Sequence, residues 1–238
     1  MDEPSPRANT DFVHHQKSVF MNVLAEVVFG VEDGMVSTLG SIVGIAIGSQ
    51  NHFIVILAGT VIISVESISM GIGSYLSNLS AEEMDRRKIE EEKIEIEKVP
   101  EEEKGELYDM YIEEGWPESL AKEMTEAASS NKELMLREMM VRELKINPEQ
   151  ESTSLKGGIY MFCSYILGGL IPLSAYIFLP INTAIPVSVG ITLLGLFALG
   201  MSTTKFTRQP LLKSGLRVLI MGGLALIAGL VAGLLVRQ

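Results

Sequence analysis

Apolar residues in this chain come in long blocks. Residues 34–65 contain no Asp, Glu, Lys or Arg; neither do 157–204 nor 218–236, and each block is aliphatic and Gly-rich. Blocks of this kind signal membrane spans. The first, 32 residues long, would make ~48 Å of helix against a hydrocarbon core of ~30 Å. The polar SQNH at 49–52 is therefore predicted to turn the chain between two spans. Gly34 to Gly48 spans only ~22 Å, so the first helix must reach back through FMNVLAEVVFGVED. That brings Glu26, Glu32 and Asp33 into the membrane region. The second span, from about Phe53 to Leu79, carries one acid, Glu66. The 157–204 block divides at FLPINTAIP, where Pro180 and Pro186 are expected to punctuate a turn. A fifth span, from about Leu216 to Val236, follows the basic connector TKFTRQPLLKSGLR.

Between the second and third spans the pattern changes. Residues 82–151 hold 23 of the 30 acids and 11 of the 19 bases, a formal charge of −12 in a chain whose total is −11. EEMDRRKIEEEKIEIEK has almost no apolar face and is expected to extend the second span into water. PEEEKGELYDMYIEEGW follows, with Leu107, Met110 and Tyr111 at i, i+3, i+4 spacing. Pro117 is expected at the first position of another helix. NKELMLREMMVRELKI carries two stripes, Leu136, Met140, Leu144 and Met135, Met139, Glu143. The expected fold is all-α: five transmembrane helices with a cytosolic helical metal-binding insert between the second and third. The expected divisions are a polar arm over 1–17, spans over 18–79, the insert over 80–152 and spans over 153–238. Lys and Arg fix the orientation, with two in the arm, twelve in 79–156, four in 202–217 and none in the turns at 49–53 and 178–186. The N-terminus and insert are thereby placed in the cytosol and the C-terminus on the opposite side. The N-terminus lacks the basic-then-apolar order of a cleaved signal peptide.

Depth identifies candidate chemistry. Asp33 lies 15 residues before Gly48 and Met70 lies 17 after Phe53, so both stand ~22–25 Å from the same membrane face. Glu66 is one turn from Met70 on the same helix face, and Glu26 one heptad below Asp33. Carboxylates alone suit Mg²⁺ or Ca²⁺; an added thioether favours Fe²⁺, Co²⁺ or Zn²⁺. The other readings are pairing of the acids with Lys213 or Arg217, and Met70 as packing. An acid at the centre of a span costs ~2.5–3.5 kcal/mol on insertion scales, which weighs against several without function.

In the insert, Glu92 with Glu95 and Glu103 with Glu106 are i, i+3 pairs, and Met139, Met140 and Glu143 form a third group. A charge run is ordinarily a solvated face, but the imbalance of charge repels itself unless cations are bound. Composition does not choose which glutamates bind. The chain has no phosphate-binding Gly-rich loop, no His within 82–151 and one cysteine, Cys163. Those absences exclude a P-loop ATPase motor, a Glu-x-x-His di-iron motif and zinc-finger spacing. His14, His15 and His52 are read as surface or interface residues.

GVEDGMVSTLGSIVG on the first span, ESISMGIGSYLS on the second and EMMVRE late in the insert resemble the vacuolar iron transporter family, over essentially the whole chain. The resemblance implies a homodimer in a lipid bilayer that exports Fe²⁺ from the cytosol in exchange for protons. It implies that Asp33 and Met70 lie on the ion path and that Glu92, Glu95, Glu103, Glu106, Met139, Met140 and Glu143 bind metal in the insert. After SMGIG, where many members have an acid, Ser74 stands here, which makes Glu66 the compensating carboxylate. The expectation is a secondary transporter of Fe²⁺, with Mn²⁺, Co²⁺ and Zn²⁺ as related cargo, in a vacuolar or prokaryotic cell membrane. No enzymatic activity, cofactor or nucleic-acid partner is expected. The alternatives are a manganese exporter of the same family, or a membrane-anchored metal store or sensor. Acids at matched depth in two spans weigh against a pure anchor.

Overall fold

The computed structural model describes residues 19–148, 152–204 and 210–236. The polar arm, with His14 and His15, lies outside the described residues, as does part of the basic connector. The described residues form eight helices and no strand: α1 Val19–Ser49, α2 His52–Lys98, α3 Pro100–Glu113, α4 Glu118–Ser129, α5 Lys132–Arg142, α6 Ser154–Phe178, α7 Ile181–Ser202 and α8 Leu211–Val236. Five of them, α1, α2, α6, α7 and α8, are long and apolar enough to cross a membrane.

The turn at 49–52 forms where the polar residues predict it. Gln50 takes a positive φ of 49°, and the Asn51 side chain caps α2 by accepting from Ile54 N at 3.2 Å. α2 then runs unbroken for 47 residues, about 70 Å, from the far end of the bundle into the polar interval. Two prolines, Pro186 and Pro117, behave differently from expectation. Pro180 ends the turn after α6 as the N-cap of α7, but Pro186 sits inside α7, so the break is shorter than FLPINTAIP suggested. Pro186 is the sixth residue of α7, past the first amides that lack intrahelical acceptors, so it forfeits one bond to the Asn182 carbonyl, and the buried stripe Ala184, Ser188, Thr192 and Leu196 carries the helix through it. Pro172 lies inside α6, where its carbonyl accepts from Ser188 Oγ at 2.8 Å, joining α6 to α7. Pro117 is the N-cap of α4 rather than its first residue. The last span begins at Leu211, earlier than Leu216, because LLKSG joins the helix.

α1 lies at the centre of the bundle, against α2, α6, α7 and α8. Small residues allow this. A Cβ on Gly40 would lie 2.8 Å from the Ala225 carbonyl oxygen and one on Gly44 2.6 Å from that of Gly229, so α1 and α8 meet backbone to backbone. Ile42, Ala46, Val55, Ala175, Tyr176 and Ala184 form a core at the end of the bundle near the first turn. Cys163 is exposed on α6.

α3, α4, α5 and the end of α2 enclose a separate core of Ile96, Leu107, Tyr111, Ala121, Ala128, Met135 and Met139. This unit is joined to the bundle by α2 itself and by a clasp at Glu82. Glu82 of α2 accepts from the backbone N–H of Thr153 (2.9 Å) and Ser154 (3.1 Å) and from the hydroxyls of Ser152 (2.8 Å) and Ser154 (3.2 Å). A carboxylate from α2 thus caps the start of α6, where the helix dipole favours negative charge.

Candidate metal sites

Two groups of acids stand apart on α2. In the bundle, Glu66 accepts from Ser37 Oγ of α1 at 2.9 Å and from the Tyr165 hydroxyl of α6. Lower on the same helix pair, Asn78 Nδ2 donates to Glu26 Oε1 at 3.2 Å and to Ser74 Oγ at 3.4 Å. These contacts fix the antiparallel register. Ser37 and Glu26 are eleven residues apart on α1, and Glu66 and Asn78 twelve apart on α2. Asp33, one turn from Ser37, is therefore level with Met70, one turn from Glu66. Asp33 is half-buried and within Coulombic reach of Glu66, Met70 is half-buried, and Glu32 is beside Asp33. Ser37 also lines a groove of about 690 Å³ between α1 and α8, bounded by Ser41, Gly44, Ser49, Gly229 and Gly233, that runs towards the first turn.

The insert assembles its acids by another rule. Each of three helices carries a buried stripe that ends in, or is interrupted by, a glutamate: Glu92 with Ile96 on α2, Glu103 with Leu107 and Tyr111 on α3, and Met135 with Met139 and then Glu143 on α5. The three acids meet at the edge of the apolar core, one oxygen from each lying within 4.8 Å of the others. Glu92 is 2% exposed and Glu103 5%. The Oε1 of Glu92 and the Oε2 of Glu103 are buried without a hydrogen-bond partner.

Burial, then the charges of Glu143 and Glu103, pushes the Glu92 carboxyl up to about 8 from its ordinary 4.5. Glu103 and Glu143 are also raised, by burial first and then by the charge of Glu106, with Glu95 a further neighbour of both. Glu95 and Glu106 are exposed and stand around the cluster. Three oxygens spread evenly around a divalent ion at ~2.1–2.2 Å are ~3.6–3.8 Å apart, so a contraction of up to about an ångström would let the three carboxylates share one ion. Met139 is fully buried in the core and Met140 half-buried.

A family model described as VIT family matches residues 24–234. The chain belongs to the VIT family. Among relatives, a protein named vacuolar iron transporter 1 from Tulipa gesneriana is 28% identical over 225 residues, covering 93% of this chain and 91% of its own length. The vacuolar iron transporter 1 of Arabidopsis thaliana is 29% identical over 223 residues, 92% of this chain and 89% of its own. The vacuolar iron transporter of Plasmodium falciparum is 31% identical over 222 residues, 89% of this chain and 80% of its own.

In this VIT-family protein the residues that sequence reasoning missed are the neutral donors. Ser37, Tyr165 and Asn78 surround acids on α1 and α2, yet a Ser, Tyr or Asn in an apolar helix carries no periodic signal. A signal did exist for the buried glutamates. Ile89, Glu92 and Ile96 are spaced i, i+3, i+7, and Glu92 occupies a position that the heptad reserves for an apolar side chain.

Proposed function

We propose that this protein is a proton-coupled secondary transporter that moves Fe²⁺ and related divalent metals out of the cytosol; the names of its relatives support iron transport. The observation that carries the reading is the insert cluster: three glutamates on three helices, two of them buried, with oxygens that no donor meets. Burying one unpaired carboxylate is costly, and a cluster of them is tolerated where a cation compensates. The insert collects the ion through Glu92, Glu103 and Glu143, with Glu95 and Glu106 at the rim and Met139 and Met140 as the candidate softer ligands.

From there the ion enters the bundle past Glu26, reaches Asp33, Glu32, Glu66 and Met70, and leaves along the groove from Ser37 to Ser49. Two neighbouring carboxylates in a low-dielectric site do not both stay ionised without a cation. Metal entry displaces a proton, and the carrier returns protonated from the acidic side. The insert and N-terminus face the cytosol, the C-terminus the opposite side, and two chains form the working dimer in a vacuolar or prokaryotic cell membrane. Support for the orientation comes from the Lys and Arg asymmetry of the loops.

The test is uptake into sealed proteoliposomes containing only this protein. An acidic lumen should drive accumulation of Fe²⁺ added on the insert side, with the lumen turning alkaline as metal enters. Uptake equally concentrative without a pH difference, and without proton movement, rules out exchange. Competition between Fe²⁺ and Mn²⁺ in the same vesicles separates an iron carrier from a manganese exporter.

A further inference from the structure

The EMMVRE motif contains three residues to which the metal reading assigns no part, Glu138, Val141 and Arg142, and of these Arg142 bonds both within α5 and to the end of α3. It closes α5, an eleven-residue helix, and Glu143 follows as the C-cap, held within the chain by its N–H to the Met139 carbonyl at 2.9 Å. Two residues later Lys145 turns the chain with a φ of 56°. A ligand at the end of so short a helix frays unless something pins that end.

Arg142 makes that attachment. Its Nε donates to Glu138 Oε2 at 2.9 Å and its Nη1 to Glu114 at the end of α3, while its guanidinium lies over the Tyr111 ring, 4.5 Å from the centroid. The Tyr111 hydroxyl donates to the same Glu138 oxygen at 3.1 Å. Tyr111 belongs to the stripe that carries Glu103, two turns earlier on α3. The contacts that tie α5 to α3 therefore also set the distance between Glu143 and Glu103.

We propose that Arg142 is a positioning residue for the glutamate cluster: by clamping the last turn of α5 onto α3 it holds the Glu143 carboxylate against those of Glu92 and Glu103. The assignment rests on the reading that this cluster binds a divalent metal. Its sign is distinctive. A positive charge beside a cation site repels the cation, so if Arg142 acted by charge alone, removing it would tighten binding. A positioning role has the opposite outcome.

The experiment is a Co²⁺ titration of the full-length protein in detergent, followed by the visible absorption of the bound ion, with the insert's share defined as the part lost in Glu92→Gln. Arg142→Met should weaken that share about tenfold or more, the usual loss when a residue supporting a metal ligand is removed. Arg142→Lys should recover only part of it, because an ammonium cannot reproduce the two-nitrogen fork. The double variant Arg142→Met with Glu143→Gln should bind no more weakly than Glu143→Gln alone, since Arg142 acts through Glu143. Glu114→Gln, which leaves Arg142 and the core in place, should shift affinity in the same direction by less and decides the matter if Arg142→Met loses helicity. Unchanged or tighter binding in the variant that folds, or losses that add in the double variant, overturns the role of Arg142 alone. Equal Co²⁺ binding by the wild type and Glu92→Gln overturns the metal reading of the cluster, and this assignment with it.

Discussion

The two acid groups that meet on α2, one in the bundle and one in the insert, treat the same residue type in opposite ways. In the bundle, Glu66 and Glu26 are each met by neutral donors, Ser37 and Tyr165 for the first and Asn78 for the second. In the insert, Glu92 and Glu103 face other carboxylates and keep buried oxygens without donors. The bundle thus gives Glu66 and Glu26 donors from within the protein, whereas the insert, on the proposed reading, leaves its buried oxygens to a cation. A site that releases its cargo on every cycle is served by the first arrangement, and a site that captures scarce cargo by the second.

The strongest break of this comparison is Asp33→Ala. It should reduce transport to background in proteoliposomes while Co²⁺ binding by the insert persists; normal flux would remove the bundle site. Next is Glu92→Gln, expected to weaken insert binding at least tenfold, by about the margin that supporting groups of metal sites command. Transport should then fail at low metal and recover at high metal, a KM effect. If the maximal rate falls instead, the insert is part of the path and not a collector.

Tyr165→Phe removes a donor from Glu66 and leaves the insert untouched. A hydrogen bond to a charged group is worth ~1.5–3 kcal/mol, so transport should slow by about tenfold or more with unchanged Co²⁺ binding.

A smaller effect sharpens the electrostatic half of the comparison. Glu92 titrates at about 8 in the folded protein, above its ordinary 4.5, and Glu103 and Glu143 are raised as well. Between those values the folded insert holds more protons than the unfolded chain. Its metal-free stability is therefore full below pH ~4.5 and falls as pH rises through ~8. Thermal loss of helicity should come at lower temperature at pH 9 than at pH 5, and saturating Mn²⁺ should flatten the difference. The smallest effect is expected from the methionines. Met139→Leu conserves volume and should cost under ~1.5 kcal/mol of stability, yet weaken Co²⁺ more than Mn²⁺ by a few-fold, with Met140→Leu having less effect. Identical affinities for both ions would make Met139 packing only.

Much of the architecture was legible because it follows from one-dimensional quantities. Helix lengths, the polar SQNH turn and the continuation of α2 beyond the bundle depend on hydropathy and helix rise. The match in depth of Asp33 and Met70 needed only a count from that turn. Pro186 was misread because a proline inside a helix is tolerated where packing on either side holds the helix, here the buried stripe from Ala184 to Leu196, and that packing is tertiary. The separation of Glu92 and Glu103 from Glu95 and Glu106 was not legible from their i, i+3 spacing. It is decided by which side of α2 and α3 meets α5, a tertiary fact. Tyr165 was hidden for a similar reason: its role depends on α6 lying beside α1 and α2.

The clasp at Glu82 makes the insert a cassette. Because residues 152–154 are hydrogen-bonded to the point on α2 where the chain departs, some seventy residues leave the bundle and return to it through a single doorway. Nothing in the order of the spans depends on what lies beyond that doorway. The packing of the five long helices against one another therefore places no demand on the length of the segment that the doorway admits.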